Sequence, residues 1–124
     1  MSTYMSFFSY TKDAWRGMVQ HPEDRQEAAR KVIEAAGGAL LGFYWMLGED
    51  DGVAIFEVPN ATSAAAVSAA TSASGRIERV RTVHLLDSVE VRSALELAKV
   101  VGATYQPPGG FLEGWRAGYD EFGK

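Results

Sequence analysis

Gly42-Phe43-Tyr44-Trp45-Met46-Leu47-Gly48-Glu49-Asp50-Asp51-Gly52-Val53-Ala54-Ile55-Phe56-Glu57-Val58-Pro59 is the stretch that decides the fold. Gly48 to Gly52 is turn chemistry, glycines and acids set between two apolar runs. The run before it, Ala39 to Leu47, is apolar on both faces, as a central or doubly covered strand is. The run after it, Val53 to Val58, alternates. Ala54, Phe56 and Val58 share the face suited to helix packing, and Val53, Ile55 and Glu57 share the other. The two runs are close enough to form a hairpin. Pro59 ends the second run, and Asn60 predicts the N-cap of a helix.

Downstream, Ala61 to Ser74 is rich in Ala and Ser, with Val67 its one larger apolar residue. After a strand and a cap, this predicts a small-faced helix packed close on a sheet and stopped by Gly75. Ile77 to Leu86 reads as a strand. Asp87 and Glu90 have capping-box spacing and open a helix that runs to about Val101. Upstream, Thr3 to Tyr10 alternates as a strand, Tyr4, Ser6, Phe8 and Tyr10 against Met5, Phe7 and Ser9. A short helical turn through Trp15 and Met18 follows. His21-Pro22-Glu23-Asp24 predicts a helix start, with Pro22 at the first helical position. Ala28, Ala29, Val32, Ile33 and Ala36 continue that helix to Gly37-Gly38.

The order is β-α-β-β-α-β with an extra C-terminal helix, the ferredoxin-like α+β pattern with an antiparallel sheet. Helices cover one face of such a sheet. The other face is expected to carry Tyr4, Phe8, Tyr44, Met46, Val53 and Ile55. An apolar patch of that size calls for a cover, and a second copy packed sheet on sheet supplies one. Residues 1–102 are expected to form one domain and 103–124 a docking arm. In the arm, Phe111, Trp115 and Tyr119 recur every four residues, each preceded by glycine. The arm is expected to pack on the protein or to close over a ligand.

The chain has 124 residues, 47% of them apolar and 23% charged, with a net charge of −4. That is one soluble domain's worth of chain, and its charge does not favour a nucleic-acid partner. There is no apolar run of membrane-spanning length, and the first residues lack the basic and apolar regions of a signal peptide. A cytoplasmic location is the expectation. Cysteine is absent, which removes disulfides, thiolate metal sites and a cysteine nucleophile. His21 and His84 are too few for a closed zinc site. No metal and no bound redox cofactor is expected.

Residues 42–59, with Tyr10-Thr11, Glu27-Ala28-Ala29-Arg30-Lys31, Gly37-Gly38 and Arg81-Thr82, resemble the GYD-domain family. The resemblance spans residues 3–86. The family is similar to the dimeric α/β-barrel proteins, in which two ferredoxin-like sheets close around a central space. A homodimer or higher homo-oligomer is therefore implied. The family usually has Tyr-Asp where this chain has Asp50-Asp51. The resemblance implies a fold and an assembly rather than a reaction.

Glu57, among apolar neighbours on its strand face, is the candidate general base. His84, with Thr82 two residues away, is the candidate acid. Tyr44 or Tyr10 is placed to orient a substrate oxygen. Tyr4, Ser6, Phe8, Tyr10, Met46 and Ile55 are the candidate lining of a pocket for a small apolar or aromatic molecule. Such a set suits cofactor-independent proton transfer (an isomerase, lyase or dehydratase) or cofactor-free oxygenation. It equally suits a non-catalytic binding or assembly protein. A cavity below about 300 Å³ favours the structural reading. Glu49-Asp50-Asp51 reads as a solvated hairpin tip. Arg76, Arg79 and Arg81 are expected to pair with Glu78, Glu57 or a partner subunit.

Overall fold

A computed structural model of the chain describes residues 1–109. They divide into two compact units, Met1–Leu85 and a second that begins at Leu86. The first holds β1 (Ser2–Tyr10), α1 (Lys12–Gln20), α2 (Arg25–Ala35), β2 (Ala39–Trp45), β3 (Gly52–Val58), α3 (Ala61–Ala73) and β4 (Ile77–Leu85). The four strands form one antiparallel sheet in the order β2-β3-β1-β4. This is the ferredoxin-like α+β arrangement. The residues of the arm past 109, including Phe111, Trp115 and Tyr119, lie outside those described.

Local chemistry sets the boundaries. Thr11, Asp24 and Asn60 cap α1, α2 and α3, each side chain accepting a backbone N–H three residues on. The cap at Asp24 starts α2 at Arg25, so Pro22 lies before the helix rather than in its first turn. The turn expected at Trp15 and Met18 is a nine-residue helix, and the β1–β2 crossover therefore contains two helices. Gly37, at φ +88°, ends α2 in the left-handed conformation that glycine adopts without strain. A Cβ on Gly38 would overlap the carbonyl oxygen of Glu57, so β2 can start beside β3 only at a glycine.

The register of β1 fixes which side chains meet the helices. Tyr4 stands opposite Phe56 on β3 and His84 on β4, and Phe8 opposite Gly52 and Val80. Tyr4, Ser6, Phe8 and Tyr10 therefore share the face of Ala54, Phe56 and Val58. All seven are buried. Ile33 from α2 and Ala64 from α3 complete this core. The expectation that Tyr4 and Phe8 line the other face is thus corrected. Both faces of β1 alternate apolar residues, so composition alone cannot orient the strand, and cross-strand pairing does.

The opposite face carries Met5 and Phe7 of β1, Tyr44 of β2, Val53, Ile55 and Glu57 of β3, and Val83 and Leu85 of β4. α2 packs on β2 and β3, and α3 on β3 and β4, all on the core side. Within residues 1–85 no element covers this second face.

The second unit contains α4 (Ser88–Gly102). It opens with the predicted capping box. The Asp87 carboxylate accepts the Glu90 N–H at 2.7 Å, and the Glu90 carboxylate accepts the Asp87 N–H at 3.2 Å. Among the described residues no helix is long and apolar enough to cross a membrane.

Phe56 is 1% exposed and sits at the centre of the core. Phe56→Ala is expected to destabilise the chain by about 3–5 kcal/mol in denaturant unfolding, the usual cost of removing a buried ring.

Candidate functional site

Between the sheet and the helices lies an apolar chamber of about 140 Å³. Its floor is Ser6, Phe8 and Ala54, and its roof comes from Ala28, Ala29 and Val32 of α2 and Val67 of α3. The roof residues are small, which is why an Ala/Ser-rich α3 leaves room instead of filling it. A hydroxyl chain edges the chamber. Ser6 Oγ and Thr82 Oγ1 are 2.7 Å apart, and Thr82 Oγ1 lies 3.3 Å from Ser68 Oγ. Tyr10 and Arg25 are the titratable side chains among the lining residues.

The chamber adjoins a wider cleft of about 500 Å³ between α1, the start of α2 and the end of α3. Tyr10, Arg25, Val32, Thr71 and Ile77 line both spaces. Glu23, Asp13 and Arg76 add charge to the cleft wall. By itself the chamber falls below the ~300 Å³ of a typical ligand site, the size that favours a structural reading, whereas the adjoining cleft exceeds it. Its size matches a single ring, since an apolar cavity of about 150 Å³ accepts benzene.

An aromatic cluster stands at the junction. Tyr10 packs against Phe8, Trp15 and Trp45 with ring centroids 5.4, 5.9 and 5.7 Å away. Burial pushes the Tyr10 hydroxyl above its ordinary range, and the neighbouring Arg25 guanidinium offsets this only in part. Arg25 reaches over the Tyr10 ring, 6.0 Å from its centroid, and donates from Nη1 to Glu23 at 3.0 Å. Its Nε is buried and has no hydrogen-bond partner among the described residues.

Asp51 clasps this cluster. Its carboxylate accepts the Tyr10 backbone N–H at 2.8 Å and the Trp15 indole N–H at 3.2 Å, while its own N–H donates to the Phe8 carbonyl at 2.9 Å. Asp50, with a side chain 16% exposed, faces Arg79 at 3.5 Å and Arg81 at 3.9 Å. The hairpin tip is therefore not the solvated acidic run expected from sequence. Two of its three acids are engaged with β1, α1 and β4. Arg79 and Arg81 find their partner there, not at Glu57 or Glu78.

The residues singled out from sequence separate into groups. Ser6, Phe8 and Tyr10 line the chamber. Tyr4 is buried beside it, stacked on His84 at 4.8 Å and on Phe56 at 5.8 Å. Ile55, Tyr44 and Glu57 lie on the opposite face of the sheet, and Met46 follows the end of β2. Tyr44 pairs with Val53 and Gly42 with Ile55, whereas a turn that set Leu47 opposite Gly52 would place Tyr44 against Ile55 and Gly42 against Glu57. A longer turn, with Trp45 rather than Leu47 paired to Gly52, accounts for the shift, and an extra residue at Leu41 offsets the pairing once more beyond Gly42. Glu57 pairs with Thr3, and His84 with Tyr4, so the candidate base and acid sit on opposite faces of one sheet.

Arg25, Trp15 and Asp51 are the site residues that sequence reasoning passed over. Asp51 alone left a signal, as the position that matches the family aspartate. Asp51→Ala should cost about 1–3 kcal/mol by leaving two donors unpartnered. It should also shift tryptophan emission to the red as Trp15 loses its anchor, which steady-state fluorescence and denaturant unfolding will read.

The GYD domain model matches residues 4–95. No curated protein matches the chain. Among solved structures the chain is similar to an uncharacterized NIPSNAP domain protein from Burkholderia xenovorans, at 14% identity and a TM-score of 0.45, covering 71% of this chain and 95% of that one. With more than half of its length matched, and with the hairpin, β1 from Tyr4 onward and the Asp51 clasp inside that span, the chain belongs to the GYD-domain family.

Proposed function

We propose that this protein is a small-molecule-binding domain whose ligand enters through the cleft beside α1 and places an apolar ring or short chain in the chamber under α2 and α3. The observation that carries this reading is that an apolar chamber lies against a polar, charged cleft, with Tyr10 and Arg25 in the walls of both. Binding sites of this kind combine apolar walls with a few convergent polar groups. Binding without catalysis is the favoured reading. Among the described residues no carboxylate or imidazole lines the chamber, and Glu57 and His84 are divided by the sheet.

Titration with toluene, phenol and benzoate, followed by backbone amide NMR, tests this. Shifts at Ser6, Ala28, Val67 and Val80 that saturate are expected. Val67→Phe, which fills the chamber from α3, should abolish them in a chain that stays folded. No saturable shift from any of the three would overturn the reading.

The second face of the sheet supports assembly as a homodimer. Met5, Phe7, Val53, Ile55, Val83 and Leu85 form an apolar surface there, and Tyr44 is 62% exposed. A second copy's sheet covers such a face in a dimeric α/β barrel and brings Glu57 and Tyr44 to the space between the sheets. Light scattering at micromolar concentration should give twice the 13.5 kDa of the chain. Ile55→Asp should give the monomer mass. A monomer in the unaltered protein would remove the dimer from the proposal.

A further inference from the structure

We propose that the ligand of this chamber is a small organic carboxylate, its carboxylate held by Arg25 and its ring or short chain lodged among Phe8, Ala29 and Val67. The inference rests on the chamber being a ligand site.

Arg25 carries the argument. It is the first residue of α2 and lines both the chamber and the cleft, so its guanidinium stands where they join. Its Nε is buried and, among the described residues, hydrogen-bonds to nothing. A buried guanidinium N–H without an acceptor is uncommon in folded proteins and calls for a partner. Glu23 occupies Nη1, and that pair is open to solvent, with side chains 31% and 51% exposed. Exposed pairs of this kind are held weakly, so a ligand carboxylate can join or displace Glu23. The planar fork of arginine matches the two oxygens of a carboxylate.

The surroundings narrow the class. Among the described residues the chamber offers hydroxyls such as those of Ser6 and Ser68 but no second cation, so the ligand body is neutral and mostly apolar. In the cleft, Arg76 makes no ion pair among the described residues and adds positive potential on the approach. Asp13 and Glu23 share that wall and disfavour a dianion such as a phosphate monoester. A chamber of about 140 Å³ limits the body to one ring or a chain of similar bulk.

The full chain is titrated by calorimetry with benzoate, 3-phenylpropionate and hexanoate, with their neutral amides, with toluene, and with inorganic phosphate. At least one carboxylate should bind about tenfold or more tightly than its amide, the usual weight of a charge-assisted pair. Phosphate should not compete. Arg25→Met should erase the preference, bringing the carboxylate down to the affinity of its amide in the same variant, whereas Arg25→Lys should keep part of it. Glu23→Gln should strengthen carboxylate binding by removing the competing acid. Should Arg25→Met fail to fold, Arg25→Lys and Glu23→Gln decide the matter. Amides binding as tightly as carboxylates, or a preference unmoved by these variants, would overturn the carboxylate assignment while leaving the chamber a ligand site. Binding of toluene with no carboxylate bound has the same meaning. No binding of any compound would overturn both.

Discussion

The ring of Phe8 lies across Gly52, and the arrangement of the site follows from that contact. A Cβ at position 52 would stand 2.5 Å from Phe8 Cζ, so the ring can occupy this place only beside glycine. The contact seats β1 against β3 with Phe8 on the helix side, and the strand's alternation does the rest. Tyr4, Ser6 and Tyr10 are drawn to the same face. Met5 and Phe7 are left on the other, where Phe7 lies under the Arg81 guanidinium at 4.3 Å. From Phe8 the aromatic contacts run outward to Phe43 at 5.6 Å and to Tyr10. The chamber is the space this row of rings leaves under helices with short side chains.

Much of the fold was legible because its signals are local. The caps at Asn60 and Asp87 and the stops at Gly37 and Gly75 each depend on a few neighbouring residues, and each appears where the sequence places it; the turn signal at Gly48–Gly52 marks the hairpin but not its length, since β2 already ends at Trp45. What could not be read was the relation between strands. Tyr4 and Phe8 differ from Met5 and Phe7 by one position on a strand with apolar residues on both faces, and a one-residue difference exchanges the faces. Only the pairing with Phe56 and Gly52, some fifty residues away, resolves it. The length of α1 was missed for a different reason. Its sequence includes Gly17 and many polar residues, and Ala14 and Met18 join it to the core only by tertiary contact.

The site was less legible than the fold. Ser6, Phe8 and Tyr10 were found because they are prominent side chains on a predicted strand. The pairing of Glu57 with His84 rested on residue type, and side-chain chemistry does not report which face a strand presents. Asp51 and Arg25 show the converse difficulty. A carboxylate in an acidic turn and an arginine at a helix start are ordinary surface features in a sequence. Their roles exist only where Tyr10 and Trp15, far from Asp51 in the chain, come within hydrogen-bonding reach of its carboxylate.

The small residues that roof the chamber have a consequence for how such proteins diversify. Ala28, Ala29, Val67, Ser68 and Thr71 sit on helices, and their backbone hydrogen bonds are made within those helices. Ala28, Ala29 and Val67 have no side-chain hydrogen bond to lose, so enlarging one of them reshapes the hollow without removing a polar contact of the sheet or of the Asp51 clasp. Such a scaffold can exchange one ligand for another by single substitutions while keeping its fold. In a lineage built on it, shared architecture would then be a poor guide to shared ligand, and divergence would collect on the two helix faces that look down on Phe8.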